Sequence, residues 1–313
     1  MRIVLLGGYG FLGANILKYI DENYRNTLSV IVFDRVALHP HGLRFCCVEK
    51  AYAGDFSDIL SINDIFQHNK IDYVIHAIST TIPNAAQNAI YDIESNLIAT
   101  IRLLESMNQH GVKDIAFISS GGAIYGDSIE NHPHKESDAV FPKSSYGVTK
   151  LAIEKYMLQY ANLYNMRPLI LRLSNPYGKY HYSMKQGVCN VALRSAIELI
   201  PFNVWGDGSS QKDYVYVEDF CDILFKLMDK KIHTTVINIA SGQIVSLSTI
   251  LSIVKKYSPD FSWNFVEQSK FDVVNVKLDN SKLIDLLGEY SFTPLEDGIK
   301  RVLNWLLEGI DSK

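Results

Sequence analysis

Cysteine is scarce in this 313-residue chain: there are four, at 46, 47, 189 and 221. None lies in a CxxC spacing, so a disulfide framework is excluded, and core thiols in a reducing cytoplasm are expected. Positive charge is not in excess either. Thirty Lys and Arg stand against 34 Asp and Glu, a net charge of −4. That excludes nucleic-acid binding as a main task, although a small phosphorylated ligand needs only a few placed cations. Long apolar runs are absent, none approaching the ~18–20 uncharged residues that span a bilayer, so no membrane association is expected. The stretch from Ile3 to Leu17 behind Arg2 imitates a secretory leader. Gly7, Gly8, Gly10 and Gly13 interrupt it, and no small-x-small cleavage site follows. Repeats, low-complexity tracts and flexible linkers are also missing. What remains is a chain 47% hydrophobic and 20% charged, able to bury a sizeable core and therefore not disordered.

Short apolar runs at 3–6, 29–33, 73–76, 115–119 and 169–173 predict buried strands, and 45–48 a further short one. Helical spacing predicts helices over 10–21, 57–67, 86–109 and 145–164. This alternation implies an α/β fold, with a parallel sheet covered on both faces. After residue 174 short helices, near 188–199, 218–228, 246–257 and 294–307, mix with scattered strands. The expected organisation is a first domain over 1–174 and a smaller mixed α/β lobe over 175–313, with the chain crossing back between them.

Gly7-Gly8-Tyr9-Gly10-Phe11-Leu12-Gly13 follows the first strand and opens a helix. Glycine at 7, 10 and 13 suits a tight turn, a backbone that must approach a pyrophosphate, and a helix that packs on its strand. The helix N-terminus, with Phe11 and Leu12, then faces the phosphates. The next strand ends at Asp34, whose carboxylate would accept hydrogen bonds from a ribose diol and repel a 2′-phosphate. NAD is therefore favoured over NADP, although Arg35 blurs the choice. The context predicts a Rossmann-type doubly wound sheet; a structural turn followed by a strand-end Asp is the plainer alternative.

Ser144-Ser145-Tyr146-Gly147-Val148-Thr149-Lys150 opens another helix. Tyr146 and Lys150 are four apart and share a face. A phenol titrates near pH ~10, so a phenolate base needs help at neutral pH. A nearby ammonium and the charge of an oxidised nicotinamide provide that help.

With these residues in place, the chain resembles the extended short-chain dehydrogenase/reductase family, in its branch of nucleotide-sugar epimerases and dehydratases. The similarity runs from Gly7 to about Gly298. It rests on the glycine turn, Asp55-Phe56, His76-Ala77, Asn96, the Ser119 to Gly126 segment, and Tyr146-x-x-x-Lys150. It continues through Arg172-Leu-Ser-Asn175-Pro-Tyr-Gly178, Trp205-Gly-Asp-Gly208, Lys212-Asp-Tyr-Val-Tyr-Val-Glu-Asp219 and Leu278-Asp-Asn-Ser-Lys282. The resemblance implies NAD as cofactor, a nucleotide sugar as substrate and a substrate-binding role for the second lobe. It implies Asp55 and Phe56 at the adenine, and Ala77 and Ile78 under the pyrophosphate and nicotinamide half. Asn96 and Ser119 join the cofactor set. Tyr146 would be the base, and Lys150 would also hold the nicotinamide ribose. Asn175 would contact the diphosphate, and Val204 and Trp205 the nucleotide base. Gly121, Val188, Lys212, Lys270 and Asp272 complete the substrate set. Strand-end capping by Asp55 and turn formation at Asn175 stay open as plainer roles.

Three departures matter. The family places a catalytic Ser or Thr four residues before the Tyr of a Tyr-Gly pair; here that position is Gly121, so either Ser120 supplies the hydroxyl or Tyr146 acts without it. Lys212 stands where Arg is common, which keeps charge but loses the bidentate fork. Ser269 stands where a late Arg is common, with Lys270 adjacent. For the reaction, 4,6-dehydration needs an Asp-Glu pair where Gly122-Ala123 stand. A 4-ketosugar reductase often uses NADPH, which Asp34 disfavours. C4 epimerisation needs one base and one retained NAD, and is the expected activity; a non-catalytic dinucleotide sensor is the alternative outside enzymes. Val276, at the family's size-filter position, would admit a plain hexose or an N-acetylhexosamine. The histidine pairs 39/41 and 132/134 lie in Pro-containing loops without a third ligand nearby, so no metal is expected. Ile98, Ile101, Leu104, Ile153, Met157 and Tyr160 suggest a second apolar helix face, and the resemblance implies a homodimer.

Overall fold

Ile3, Val4, Leu5 and Leu6 are all fully buried, as are Val30, Ile31 and Val32. An uninterrupted apolar run of this kind needs cover on both faces, which a parallel sheet flanked by helices gives. The structure, a computed structural model, describes residues 1–79, 88–128, 132–267 and 275–311. In chain order the first elements are β1 (Arg2–Leu6), α1 (Phe11–Asn23), β2 (Ser29–Asp34), β3 (Val48–Ala53), α2 (Ile59–His68) and β4 (Tyr73–His76). Then α3 (Ala89–Asp92), a π-helical stretch (Ile93–Ile98) and α4 (Ala99–Gln109) follow without a break. Next come β5 (Asp114–Ser120), α5 (Gly121–Ile124), α6 (Ser145–Tyr164), β6 (Arg167–Leu173), β7 (Asn175–Tyr177), α7 (Val188–Glu198), β8 (Phe202–Trp205) and β9 (Gln211–Tyr216). The last are α8 (Val217–Asp229), β10 (Thr235–Ile239), β11 (Ile244–Ser246), α9 (Leu247–Tyr257), β12 (Trp263–Val266), α10 (Ser281–Leu287) and α11 (Leu295–Asp311).

The chain divides into two compact units, each drawn from three segments. The first takes Met1–Ser120, Ser144–Arg172 and Leu224–Ile237. Its sheet has seven strands in the order β10-β6-β5-β4-β1-β2-β3. β1 pairs in parallel with both β2 and β4, so strand order reverses there, and a doubly wound sheet opens its ligand crevice at the carboxyl ends of such strands. The core packs Val4, Ile31, Phe33, Val74, Leu103, Ile115, Phe117, Ile153, Met157 and Ile170.

The second unit takes Gly121–Lys143, Leu173–Ile223 and Asn238–Lys313. In it β7 runs parallel to β9, which pairs antiparallel with β11, and β8 pairs in parallel with β12. Tyr177, Leu193, Val204, Tyr216, Ile250, Phe261 and Ile299 share its main core. Relative to a division at 174, residues 121–143 lie with the second unit and 224–237 with the first.

Three local expectations change. The run at 45–48 is not a strand before Val48, because the amides of Cys46 and Cys47 bond to the Asp21 carboxylate (2.8 and 2.6 Å) instead of a ladder. The helix expected over 86–109 is described from Ala89 onward and carries the π-helical stretch in its middle. Leu104, Ile153, Met157 and Tyr160 are core residues of the first unit rather than an outer face. The exposed apolar side chains on those helices are instead Ile90, Tyr91, Ile93, Ile98, Val148, Tyr156, Leu163 and Tyr164. Cys47, Cys189 and Cys221 are buried free thiols and Cys46 is exposed. Among the described residues no helix is long and apolar enough to cross a membrane.

The glycine turn gives the first prediction. A Cβ on Gly13 would overlap the Gly7 carbonyl oxygen and lie 2.6 Å from the Gly8 backbone, neither of which can swing away. Gly13→Ala should cost about 3 kcal/mol or more. A thermal unfolding midpoint equal to that of the wild type would refute this reading of the turn.

Candidate active site

β1 ends in a turn that only glycine fits. Gly7 sits at φ +81°, its amide donates to the Phe33 carbonyl (2.8 Å), and its carbonyl accepts from the Gly10 amide (3.2 Å). A Cβ on Gly7 would lie 3.2 Å from Ala77 and Ile78, so the structure brings those three residues together just past β1 and β4. Gly10 is the N-cap of α1, and no side chain caps that helix. A Cβ there would meet only the Gly7 carbonyl, at 3.4 Å, so space lies above the turn. An uncapped helix start beneath open space fits a pyrophosphate, with Phe11, Leu12 and Gly13 in the first turn. Asp34, at the end of β2, accepts from the Tyr9 amide (2.9 Å) and the Arg35 amide (2.7 Å). Its carboxylate is thereby fixed next to the glycine turn, as a ribose diol requires. These residues fit a dinucleotide.

The remaining cofactor positions differ in character. Asp55 accepts from the amide (2.8 Å) and hydroxyl (2.6 Å) of Ser57, bonds that hold its carboxyl below the usual range. Phe56 is buried in the core, edge-on to His76 at 5.0 Å. Asn96 lies buried in the π-helical stretch, its amide donating to the Asp92 carbonyl and the Ser95 hydroxyl (3.2 Å each). Such stretches recur at functional sites.

α6 carries the proposed chemistry. Ser144 caps it by accepting from the Gly147 amide (3.2 Å), which starts the helix immediately before Tyr146. Its buried stripe reads Gly147, Lys150, Ile153, Glu154, Met157, Tyr160 and Ala161, so two charged residues sit among apolar ones. Lys150 is 4% exposed. Its Nζ donates to the Ile118 carbonyl (2.8 Å), lies 4.4 Å from the Phe117 ring centre and 5.8 Å from that of Tyr146. Burial pushes its pKa down to about 7, and Glu154 pushes the other way. His76 is also fully buried, its Nε2 3.0 Å from the Thr100 hydroxyl, and burial and then the Lys150 charge hold it neutral.

The two serines ending β5 are not equivalent. Ser119 is buried and donates to Glu154 Oε1 (2.6 Å), while Glu154 also pairs with Arg172 (2.7 Å). Ser120 points the other way, as successive strand residues do, and is half-buried. The hydroxyl of Ser120 is therefore free of the Glu154 cluster. Sequence reasoning missed Glu154, whose signal is an acidic residue one helical turn beyond Lys150 on the same stripe.

In the second unit, Asn175 donates to the Asp213 carbonyl (2.9 Å), beside Ser174, which does the same (2.6 Å). The Asp213 carboxylate accepts from the Ser241 amide (2.9 Å) and hydroxyl (3.0 Å), and burial pushes its pKa up to about 6. Asp213 is thus a second residue that the sequence reading passed over. Gly121 opens α5 and is buried. Val188 is half-buried at the start of α7, whose N-cap, Gly187, has no side chain to cap it. β8 alternates, so Val204 is fully buried in the core while Trp205 is 58% exposed. Of that pair only Trp205 offers a side chain to a ligand. Lys212 is half-buried in β9, and Val276 is buried against Tyr125, Ala240 and Leu278. Lys270 and Asp272 lie outside the described residues. His134 stacks on Tyr125 at 4.8 Å, and His39 accepts from the His41 amide (3.2 Å). Among the described residues no group of three or more metal-ligating side chains occurs.

A family model described as the NAD dependent epimerase/dehydratase family matches residues 3–240. The chain is 27% identical over 305 residues to the dTDP-4-dehydro-6-deoxyglucose reductase of Escherichia coli, with 96% of each chain covered. It is 27% identical over 328 residues to the UDP-glucose 4-epimerase of Lacticaseibacillus casei, covering 97% of this chain and 96% of that one. Among solved structures it is similar to UDP-glucose 4-epimerase with UDP-glucose from Thermotoga maritima. That likeness has a TM-score of 0.91 and 28% identity, over 99% of this chain and 100% of that one.

The serine geometry is checked by two alanine variants. Ser119→Ala removes a buried hydrogen bond to a carboxylate and should cost about 1.5–3 kcal/mol in denaturant unfolding. Ser120→Ala should stay within about 0.5 kcal/mol of wild type. Equal losses would show that the two hydroxyls are not divided in this way.

Proposed function

The chain belongs to the NAD dependent epimerase/dehydratase family and its cofactor is NAD, and on that premise we propose that it epimerises C4 of a nucleotide-diphosphate hexose or N-acetylhexosamine. A UDP-sugar is the favoured substrate class, because UDP-glucose is the ligand in the similar Thermotoga maritima structure. The observation that carries this reading is the buried Lys150 ammonium on the same helical stripe as Tyr146.

The residues of the glycine turn and Asp34 hold NAD, with Arg35, Asp55, Phe56, Ala77, Ile78 and Asn96 as the further proposed contacts. When bound, NAD would supply the hydride acceptor, and then the hydride donor, for the sugar C4. Tyr146 Oη takes the 4-hydroxyl proton as that carbon is oxidised and returns it afterwards. The Lys150 ammonium favours the phenolate form of Tyr146 and holds the nicotinamide ribose. Ser120 donates a hydrogen bond to the reacting oxygen, taking over the role usual at position 121. Asn175 and Lys212 bind the diphosphate, and Trp205 lies along the base. The 4-keto sugar turns about its diphosphate linkage and presents its other face. One base suffices, since the same phenol serves both half-reactions.

Two competing reactions are disfavoured by particular residues. Dehydration needs an acid and a base where Gly122 and Ala123 stand. Reduction of a 4-ketosugar with NADPH would set a 2′-phosphate against Asp34, whose carboxylate two backbone amides fix in place. The reductase reading is nevertheless kept as the second one, since a reductase and an epimerase are each 27% identical to this chain. We also place the protein in the cytoplasm, on its free thiols, and as a homodimer through the exposed apolar side chains of α3, the π-helical stretch and α6.

The purified protein should convert one member of a panel of UDP-, dTDP- and GDP-sugars into its C4 epimer without added cofactor, followed by the anomeric protons in NMR. Tyr146→Phe should lower turnover about 1000-fold or more while leaving the bound NAD in place. An active, NAD-loaded Tyr146→Phe protein would remove the base assignment. NADPH-dependent consumption of a 4-ketosugar, with no epimer formed, would establish the reductase instead.

A further inference from the structure

Burying Lys150 poses a problem that the Tyr146 chemistry does not solve. An ammonium out of water is costly unless a negative charge and hydrogen bonds accompany it. Among the described residues its hydrogen-bond acceptor is the neutral Ile118 carbonyl. The groups around it can be named by element. Tyr146 and Glu154 share its helix, while Phe117 and Ile118 come from β5. Neutral His76 comes from β4, and Arg172, from β6, holds Glu154. Of the titratable groups on the helical run packed along α6, Asp92 is buried, while Tyr91, Glu94, Arg102 and Glu105 are exposed. Of all these, Glu154 alone acts on Lys150 to favour its charged form.

Glu154 is itself held from two further strands. Oε1 accepts from the Ser119 hydroxyl (2.6 Å) and Arg172 Nε (3.1 Å), and Oε2 from Arg172 Nε (3.2 Å) and Nη2 (2.7 Å). Glu154 is 1% exposed and Arg172 4%. Two strands thus fix one carboxylate a single helical turn beyond Lys150. A purely structural ion pair would serve as well anywhere along the sheet; this one lies on the stripe of the catalytic helix.

We propose that Glu154 is a positioning residue: its carboxylate, clamped by Arg172 and Ser119, is the buried negative charge that keeps Lys150 an ammonium beneath Tyr146. The proposal rests on the assignment of Tyr146 and Lys150 under the proposed function only for its catalytic consequence. The electrostatic claim itself needs no sugar substrate.

The test is a titration of the Lys150 ammonium by ¹⁵N NMR of lysine-labelled, NAD-loaded protein, with the resonance assigned through Lys150→Met. In the wild type the midpoint is expected at about 7. Glu154→Gln should lower it by about one pH unit or more. Glu154→Asp, which keeps the charge, should lower it by less. Should Glu154→Gln not fold with Arg172 left unpaired, Glu154→Gln with Arg172→Gln carries the test, read against Arg172→Gln alone so that the loss of the Arg172 charge cancels. The same downward shift is expected, and the alkaline limb of turnover should move with it. A midpoint unmoved from wild type in Glu154→Gln, or unmoved from Arg172→Gln in the double variant, overturns the proposal. A shifted midpoint in a protein that epimerises no sugar overturns the proposed function instead and leaves this assignment standing.

Discussion

A lysine ammonium kept out of water is the constraint on which the proposed chemistry turns. Lys150 is buried against the Phe117 ring and the Ile118 carbonyl, at a cost to the folded chain. Its folded-state pKa of about 7 lies below the ordinary 10.5, so between those values the unfolded chain binds more protons. For this group, folding stability therefore rises with pH through that window and is weakest below it. A chain that needed Lys150 only for packing would gain by replacing it with Met or Leu. Its retention makes sense where a charge is wanted beside a phenol.

The other parts of the first unit follow from placing a dinucleotide against that pair. The sheet reverses its strand order between β1 and β4, and the glycine turn, Ala77 and Ile78 gather at the ends of those strands. Ser119 and Ser120 end β5, the next strand along, where the alternation of a strand sends one hydroxyl to Glu154 and the other away from it. Adjacent serines thus face different surroundings, one in the Glu154 cluster and one away from it. In the second unit the buried Asp213 does comparable work, since its backbone carbonyl holds Ser174 and Asn175 while its carboxylate is tied to Ser241.

What can be read from the sequence is set by local rules. The glycine turn depends on φ and on close approach, and the Tyr146 and Lys150 pair on helical spacing, so both are legible in the order of residues alone. Features decided at a distance are not. The run at 45–48 has strand-like residues, but the Asp21 side chain, far off in sequence, takes its amides. β10 joins the main sheet from within the later half of the chain. Val204 and Trp205 look alike as ligand contacts until strand alternation buries one and exposes the other. Glu154 reads as an ordinary solvated helix residue, and only Arg172 and Ser119, on two other strands, reveal it as buried.

The central claim is that hydrogen leaves the sugar's C4 and returns to the same carbon with one phenol handling the proton. The most direct measurement uses the turned-over sugar nucleotide carrying deuterium at C4, incubated with purified protein in ordinary water without added cofactor. The account predicts an epimeric product that keeps its deuterium at C4. A product that has lost the label to solvent would contradict it.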